Sequence, residues 1–288
     1  MNISTGSSSG AFSGSGAFSD LDRPPLRPLA LRRALLVPGG LWSELRVVAE
    51  TGSTNADAVT AAREGAPEGL VVVAEHQTAG RGRLNRTWET PARSALTFSM
   101  VLRPEVAPAD WPWLPLLTGH VVAKTLIAAG YAAGVKWPND VLIGDQKIAG
   151  ILLERVETDT GPAAVVGVGL NVSLTAEEMP VPTGTSLLLA SGAAPERTAL
   201  LVSLLASLRE AYDAWQAGGA DATDRLRSSY VASCVTIGRE VRVEMPSGEP
   251  LTGTAAGVDA TGRLVVAGAS GETVVGAGDV VHVRATDQ

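Results

Sequence analysis

The sequence predicts an α/β (α+β) chain in which an alternating α/β body is followed by a small all-β unit. Two patterns carry this. Between residues 45 and 172, β-branched apolar runs of strand length alternate with stretches of helical spacing, the order that builds a sheet covered by helices. From Val235 onward the pattern changes to short alternating runs split by turn residues: Glu240 to Met245, Leu251 to Val258, Leu264 to Ala267, Glu272 to Val275 and Val280 to Val283. About fifty residues of this kind suit a small β-barrel.

In chain order, residues 1–38 read as a disordered leader. Ser, Gly, Ala and Phe dominate the first twenty positions with almost no charge, and Arg23-Pro24-Pro25-Leu26-Arg27-Pro28 is too proline-broken for regular structure. Leu29 to Leu36 has room for a short helix before Pro38. The body then covers 39–234 and the all-β unit 235–288. Strands are expected at Leu45 to Glu50, Leu70 to Glu75, Ser94 to Leu102, Lys147 to Glu154 and Val165 to Val172. Helices are expected at Ala56 to Glu64, Trp113 to Ala129, Thr198 to Trp215 and Asp221 to Val231, the third from its leucine spacing at 201, 204, 205 and 208.

Composition narrows the function classes. The net charge of −7 opposes a protein built around nucleic acid, which needs a broad basic face, and no helix-turn-helix precedes the body, so no DNA partner is expected. No apolar run approaches the roughly eighteen residues of a membrane span, and the start lacks a secretory signal. The single cysteine, Cys234, excludes an internal disulfide and a multi-cysteine zinc site, as suits a reducing cytoplasm.

Basic character is local. In Gly80-Arg81-Gly82-Arg83-Leu84-Asn85-Arg86-Thr87-Trp88, alternate glycines let the backbone bend closely, three arginines offer planar donors to carboxylate or phosphate oxygens, and Trp88 offers a ring to stack on a base. A solvated surface loop accounts for the same residues. Thr51-Gly52-Ser53-Thr54-Asn55 precedes a helix and reads either as a capping cluster or as a polar pocket beside free helix N–H groups. Lys136-Trp137-Pro138-Asn139-Asp140 is a turn that also places a carboxylate able to meet magnesium or ribose. Lys147 sits at a strand end beside small residues, and Gly167 and Gly169 mark a strand open to close approach.

With these motifs in order, the chain resembles the biotin–protein ligases, in the form without an N-terminal DNA-binding domain, over about residues 43–285. The likeness rests on Gly80-Arg81-Gly82-Arg83 with Arg86 and Trp88, Lys136-Trp137-Pro138-Asn139-Asp140, Lys147-Ile148-Ala149-Gly150-Ile151-Leu152, and Gly167-Val168-Gly169-Leu170-Asn171-Val172; Thr51-Gly52-Ser53-Thr54-Asn55 and Gln77 extend it. It implies a mixed-sheet biotin/lipoate ligase-like catalytic domain with a C-terminal SH3-like barrel. It also implies a reaction: biotin and ATP, with Mg2+, give biotinyl-5′-AMP and pyrophosphate, and biotin then passes to a lysine of a biotin carboxyl carrier domain of acyl-CoA or pyruvate carboxylases.

By this resemblance Arg81, Arg83, Arg86 and Lys147 are catalytic. Ser53, Thr54, Asn55, Gln77, Gly80 and Gly150, with Arg81, Arg83 and Lys147, bind biotin. Arg83, Arg86, Trp88, Lys136, Asn139 and Asn171 bind the nucleotide, and Asp140 is the candidate magnesium ligand. Where the family pattern often has a basic residue and then glycine, this chain has Leu84-Asn85, and Asn85 is expected to supply the left-handed turn. A monomer or weak homodimer is expected. The alternatives are a lipoate–protein ligase and a biotin-responsive regulatory protein.

Overall fold

We describe a computed structural model of the chain over residues 23–245, 249–276 and 278–282. Helix α1 (Pro28–Leu35) begins on proline, whose missing N–H is no loss in a first turn, and buries Leu31 and Leu35. Strand β1 (Glu44–Val48) runs through Ser53 into α2 (Thr54–Arg63), and β2 (Leu70–Ala74) returns parallel to β1. Next come β3 (Ala95–Leu102), α3 (Trp113–Ala128), β4 (Ala133–Lys136), β5 (Asp140–Ile143), β6 (Gln146–Val156) and β7 (Ala163–Asn171). Together the strands form a seven-stranded mixed sheet, ordered β1-β2-β3-β7-β6-β5-β4.

Both faces of this sheet are covered, which is why β2 and β3 are buried at every position and read as continuous apolar runs. On one face α2 lays Ala58, Ala61 and Ala62 against Leu70, Val72, Val101 and Val165. On the other, α3 packs with α5 (Arg197–Ala217) and α6 (Gly219–Ser233), which follow a short α4 (Leu187–Ser191), over Phe98, Met100, Val166 and Val168.

A second sheet, antiparallel throughout, has five strands: β8 (Glu240–Glu244), β9 (Leu251–Val258), β10 (Leu264–Gly268), β11 (Gly271–Val275) and β12 (Asp279–His282), ordered β11-β10-β9-β8-β12. This is the small all-β unit that the change of pattern predicts and that the resemblance gives as SH3-like. Two tryptophans of the first domain hold it: Trp113 Nε1 donates to Ala260 O at 2.9 Å and Trp137 Nε1 to Gly262 O at 3.0 Å, both on the β9–β10 turn. The junction is itself paired, since Val235 N donates to Val135 O at 2.9 Å.

The leader expected over 1–38 needs correction. Residues 1–22 lie outside the described residues, but Arg23 to Pro38 pack on the first domain as an extended strap followed by α1. The prolines do exclude regular structure at 24–27, yet the side chains between them are anchored. Leu26 is 4% exposed and its N–H donates to Glu75 Oε1 at 2.5 Å; Arg197 donates to Glu75 Oε2 at 2.7 Å and to Pro24 O at 2.8 Å. Composition hid this because the strap buries its few apolar groups in a core supplied by distant residues. Leu31 is fully buried, so Leu31→Ala should cost about 2–5 kcal/mol in urea unfolding, the range for truncating a packed leucine. A loss below about 0.5 kcal/mol, as for an exposed residue, would contradict this packing.

Candidate active site

Strand register prepares a floor for a ligand. Thr97, Gly169, Gly150 and Asp140 form one row across β3, β7, β6 and β5, and Ser99, Gly167 and Leu152 form the next. The glycines in these rows are filled by neighbours rather than left open. A β-carbon on Gly167 would stand 2.0 Å from Asn55 Oδ1, and one on Gly169 would stand 2.4 Å from Trp88 Cε2. On Gly150 it would stand 3.1 Å from Lys147 Nζ and 3.3 Å from Trp88 Cζ3. The start of α2 and the Trp88 ring therefore lie directly on the sheet.

At the α2 end the polar groups are buried and interlocked. The Thr54 N–H and hydroxyl both donate to Gln77 Oε1, at 2.8 and 3.0 Å; Ser99 Oγ donates to Asn55 Oδ1 at 2.6 Å, and Asn55 Nδ2 to Glu154 Oε1 at 2.9 Å. Ser53 occupies the N-cap position with no side-chain cap bond, so the capping expectation fails for it: Gln77, brought alongside by a Thr51–Gln77 bridge, receives the first helical N–H instead.

The glycine-arginine stretch is a closed hairpin. Trp88 N donates to Gly80 O at 2.9 Å and Gly82 N to Arg86 O at 2.7 Å. Gly80 does not line the cleft; it lies behind it, where a β-carbon would meet Trp88 O at 2.2 Å. At the tip the left-handed residue is Leu84, with φ 55° and ψ 40°, rather than Asn85 as expected. Leucine bears this conformation at a cost of roughly 1–2 kcal/mol, and its side chain is exposed.

Three of the four cations of the site rest on internal carboxylates. Arg81 donates to Glu154 Oε1 at 2.9 Å, Arg86 pairs with Asp279 of β12, and Arg83 donates to Asn139 Oδ1 at 3.0 Å and to Gly278 O at 3.4 Å. Lys147 Nζ lies 2.6 Å from Asp140 Oδ1, an ion pair by distance although the angles miss those of a hydrogen bond, and 5.6 Å from the Trp88 ring centre. Burial lowers the Arg83 pKa, opposed by the charges of Asp140 and Asp279. His282, at the same end, is pushed down to about 4 by burial and by Lys136 and Arg239, so it is neutral at neutral pH.

These groups border one cleft of about 870 Å3. It collects Ser53, Thr54, Asn55, Gln77, Arg81, Arg83, Arg86, Trp88, Lys136, Asn139, Asp140, Lys147, Gly150 and Asn171, so every expected site residue except Gly80 lines it. Sequence reasoning missed Glu154 and Ser99, which are ordinary strand residues until register sets them beside the site. It also missed the Met179–Gly184 segment and the β12 residues Asp279 to His282. Among the described residues, three buried polar atoms at the cleft make no hydrogen bond: Asp140 Oδ1, which faces Lys147, and Trp88 Nε1 and Asn171 Oδ1, which suit contact with a ligand.

A methyl at residue 169 would overlap the Trp88 ring, so Gly169→Ala should force that ring off the sheet and, if ATP binds here as the resemblance implies, weaken its calorimetric titration with biotin present by roughly tenfold, the scale of a core overpacking penalty. Unchanged affinity would mean that the ring's seat is irrelevant to the ligand.

Two family models match the chain: the Biotin/lipoate A/B protein ligase family over residues 50–171 and the Biotin protein ligase C terminal domain over 236–283. The biotin–[acetyl-CoA-carboxylase] ligase of Mycobacterium tuberculosis is 44% identical over 91% of this chain and 97% of its own length. The bifunctional ligase/repressor BirA of Bacillus spizizenii is 34% identical over 74% of this chain and 66% of its own. Among solved structures, the biotin protein ligase of Aquifex aeolicus in complex with biotin and ATP superposes with a TM-score of 0.73 at 24% identity, covering 85% of this chain and all of that one, a likeness of fold. Sequence identity maintained across nearly the whole of both chains, on a fold of the same kind, makes this chain a member of the biotin protein ligase family.

Proposed function

We propose that the cleft joins biotin to ATP and then passes biotin to a lysine of a biotin carboxyl carrier domain. The observation that carries this reading is the convergence on one glycine floor of a buried polar end, formed by Thr54, Asn55, Gln77 and Ser99, and a cationic end, formed by Arg81, Arg83, Arg86 and Lys147. Biotin has the matching asymmetry, with a ureido ring that both donates and accepts hydrogen bonds and a carboxylate at the far end of its chain. A dithiolane ring would offer the polar end nothing in return, which favours biotin over lipoate.

In the first step a biotin carboxylate oxygen attacks the α-phosphorus of ATP; the bond to the β-phosphate bridging oxygen breaks and pyrophosphate leaves, giving a mixed anhydride. Both reactants are anions, so the chief requirement is positive charge aimed at the transferring phosphoryl group. Lys147 and Arg83 meet it, with Arg81 and Arg86 leaving Glu154 and Asp279 for substrate oxygens. Asn171 Oδ1 is an acceptor for a ribose hydroxyl, because its Nδ2 is committed to Thr185 O at 2.9 Å. The Trp88 ring, with Lys136 and Asn139, is assigned to the nucleotide, and Ser53 and Gly150 to the biotin side.

Magnesium would accompany the triphosphate and draw charge from its oxygens. No cluster of three or more metal-ligating side chains occurs among the described residues, but Mg2+ commonly takes one or two carboxylates and leaves the rest to phosphate and water. Asp140 fits as that carboxylate.

In the second step the carrier's lysine amine attacks the anhydride carbonyl, AMP leaves, and an amide forms. Among the described residues no helix is long and apolar enough to cross a membrane, and a cytoplasmic site of action, where ATP and carboxylases meet, is part of this proposal. Incubation with ATP, biotin and a carrier domain should add the biotin mass to one carrier lysine, read by mass spectrometry, with a parallel lipoate arm giving no product. Labelling by lipoate alone would overturn the biotin reading.

Lys147→Ala should slow biotin-dependent pyrophosphate release by about 10²–10³, the contribution of one such donor, while transfer from ready-made biotinyl-5′-AMP is largely retained. Normal pyrophosphate release by this variant would remove Lys147 from the reaction.

A further inference from the structure

Resting on the reading of the cleft above, we propose that Arg23, far outside every motif of the site, is a positioning residue for its nucleotide half. The path is short, with hydrogen bonds at both ends of one backbone segment. Arg23 is 6% exposed; its NH2 donates to Ser173 O at 2.8 Å and to Glu178 Oε2 at 2.5 Å, and its NH1 to Glu178 Oε1 at 3.0 Å. Glu178 also receives the Thr175 N–H at 3.0 Å, so one guanidinium and one carboxylate fold residues 173–178 into a fixed turn.

Beyond that turn the segment runs along the cleft through Met179, Pro180, Val181, Thr183 and Gly184. Its backbone then grips Lys147 from both sides: Lys147 N donates to Thr183 O at 2.8 Å and Thr185 N donates to Lys147 O at 2.9 Å. Thr185 O is also the acceptor that fixes the Asn171 amide, leaving Asn171 Oδ1 buried and unmatched at the cleft. Met179 packs against Gly184, where a β-carbon would come within 2.7 Å of its sulfur. The segment that Arg23 anchors therefore sets both the backbone of the lysine and the acceptor face of the asparagine.

Arg23 is held in turn. Pro24 O accepts from Arg197, Leu26 N donates to Glu75, and Glu75 and Arg197 form an ion pair only 10% and 6% exposed. The bidentate grip of Arg23 falls on Glu178, the residue directly before the segment that lines the cleft. Arginine's rigid fork suits this grip, and lysine cannot reproduce it.

The test is made in the full chain. Calorimetry with ATP in the presence of saturating biotin should show Arg23→Ala weakening the nucleotide Kd by roughly tenfold or more, the scale of buried hydrogen bonds to charged groups, with the biotin Kd measured without ATP moving less than threefold. Glu178→Gln should shift the same quantity in the same direction, and the double variant should be no worse than the stronger single one, as residues of one unit are not additive. Arg23→Lys should recover only part of the loss.

An Arg23→Ala protein that binds ATP as the intact chain does, or one whose ATP and biotin affinities fall by the same factor, overturns the inference; should that variant not fold, Glu178→Gln decides by the same two criteria. An intact chain that binds ATP but releases no pyrophosphate with biotin would count against the ligase reading alone. No ATP binding by the intact chain would overturn both.

Discussion

The site depends on a set of ion pairs in which carboxylates of the protein hold the cations of the cleft. Glu154 engages Arg81, Asp140 engages Lys147, and Asp279 engages Arg86. Four cations close together would repel one another and splay the hairpin at 80–88; with three of them matched to carboxylates and Arg83 held by Asn139 Oδ1, they stay aimed at one volume. The pairs are also poised to exchange. The side chains of Arg81 and Arg86 are 45% and 63% exposed, so each pair is worth only about 0.2–1 kcal/mol, a small loss against new bonds to a phosphate. The glycine floor complements this arrangement by letting Trp88 and the start of α2 settle onto the sheet without raising the cations out of reach.

These pairs also tie the architecture to the chemistry. Glu154 lies on β6, Asp140 on β5 and Asp279 on β12, so correct strand order and correct seating of the C-terminal sheet are both needed before the charges match. Trp113 and Trp137 supply that seating by donating into the β9–β10 turn. The second sheet is therefore part of the cleft wall, where Asp279 to His282 stand.

Much of this was legible in the chain because the signals are local. The strands announce themselves as β-branched runs, the hairpin as alternating glycine and arginine, and the C-terminal sheet as a change of period. What stayed hidden depends on contacts between distant residues. Glu154 sits 73 residues beyond Arg81 and Asp279 lies 193 beyond Arg86, and nothing near either carboxylate marks it as a partner. The strap at 23–38 was hidden for a related reason: prolines and low hydrophobicity describe its own residues, whereas its order comes from Glu75, Glu178 and Arg197. At the hairpin tip, intrinsic preference favours Asn85 for the left-handed position, but the hydrogen bonds that close the hairpin place the turn one residue earlier, on Leu84.

In the proposed reaction the internal carboxylates occupy the places of substrate anions and give way to them. Asp279→Asn tests this most directly, because it removes a competitor for Arg86 while keeping the side chain's size. Calorimetric titration of the full chain with ATP, at saturating biotin, should show binding tightened by roughly 1.4- to 5-fold, the equivalent of an exposed ion pair. Weaker binding in the Asn variant would contradict the claim and make Asp279 a support for Arg86 instead.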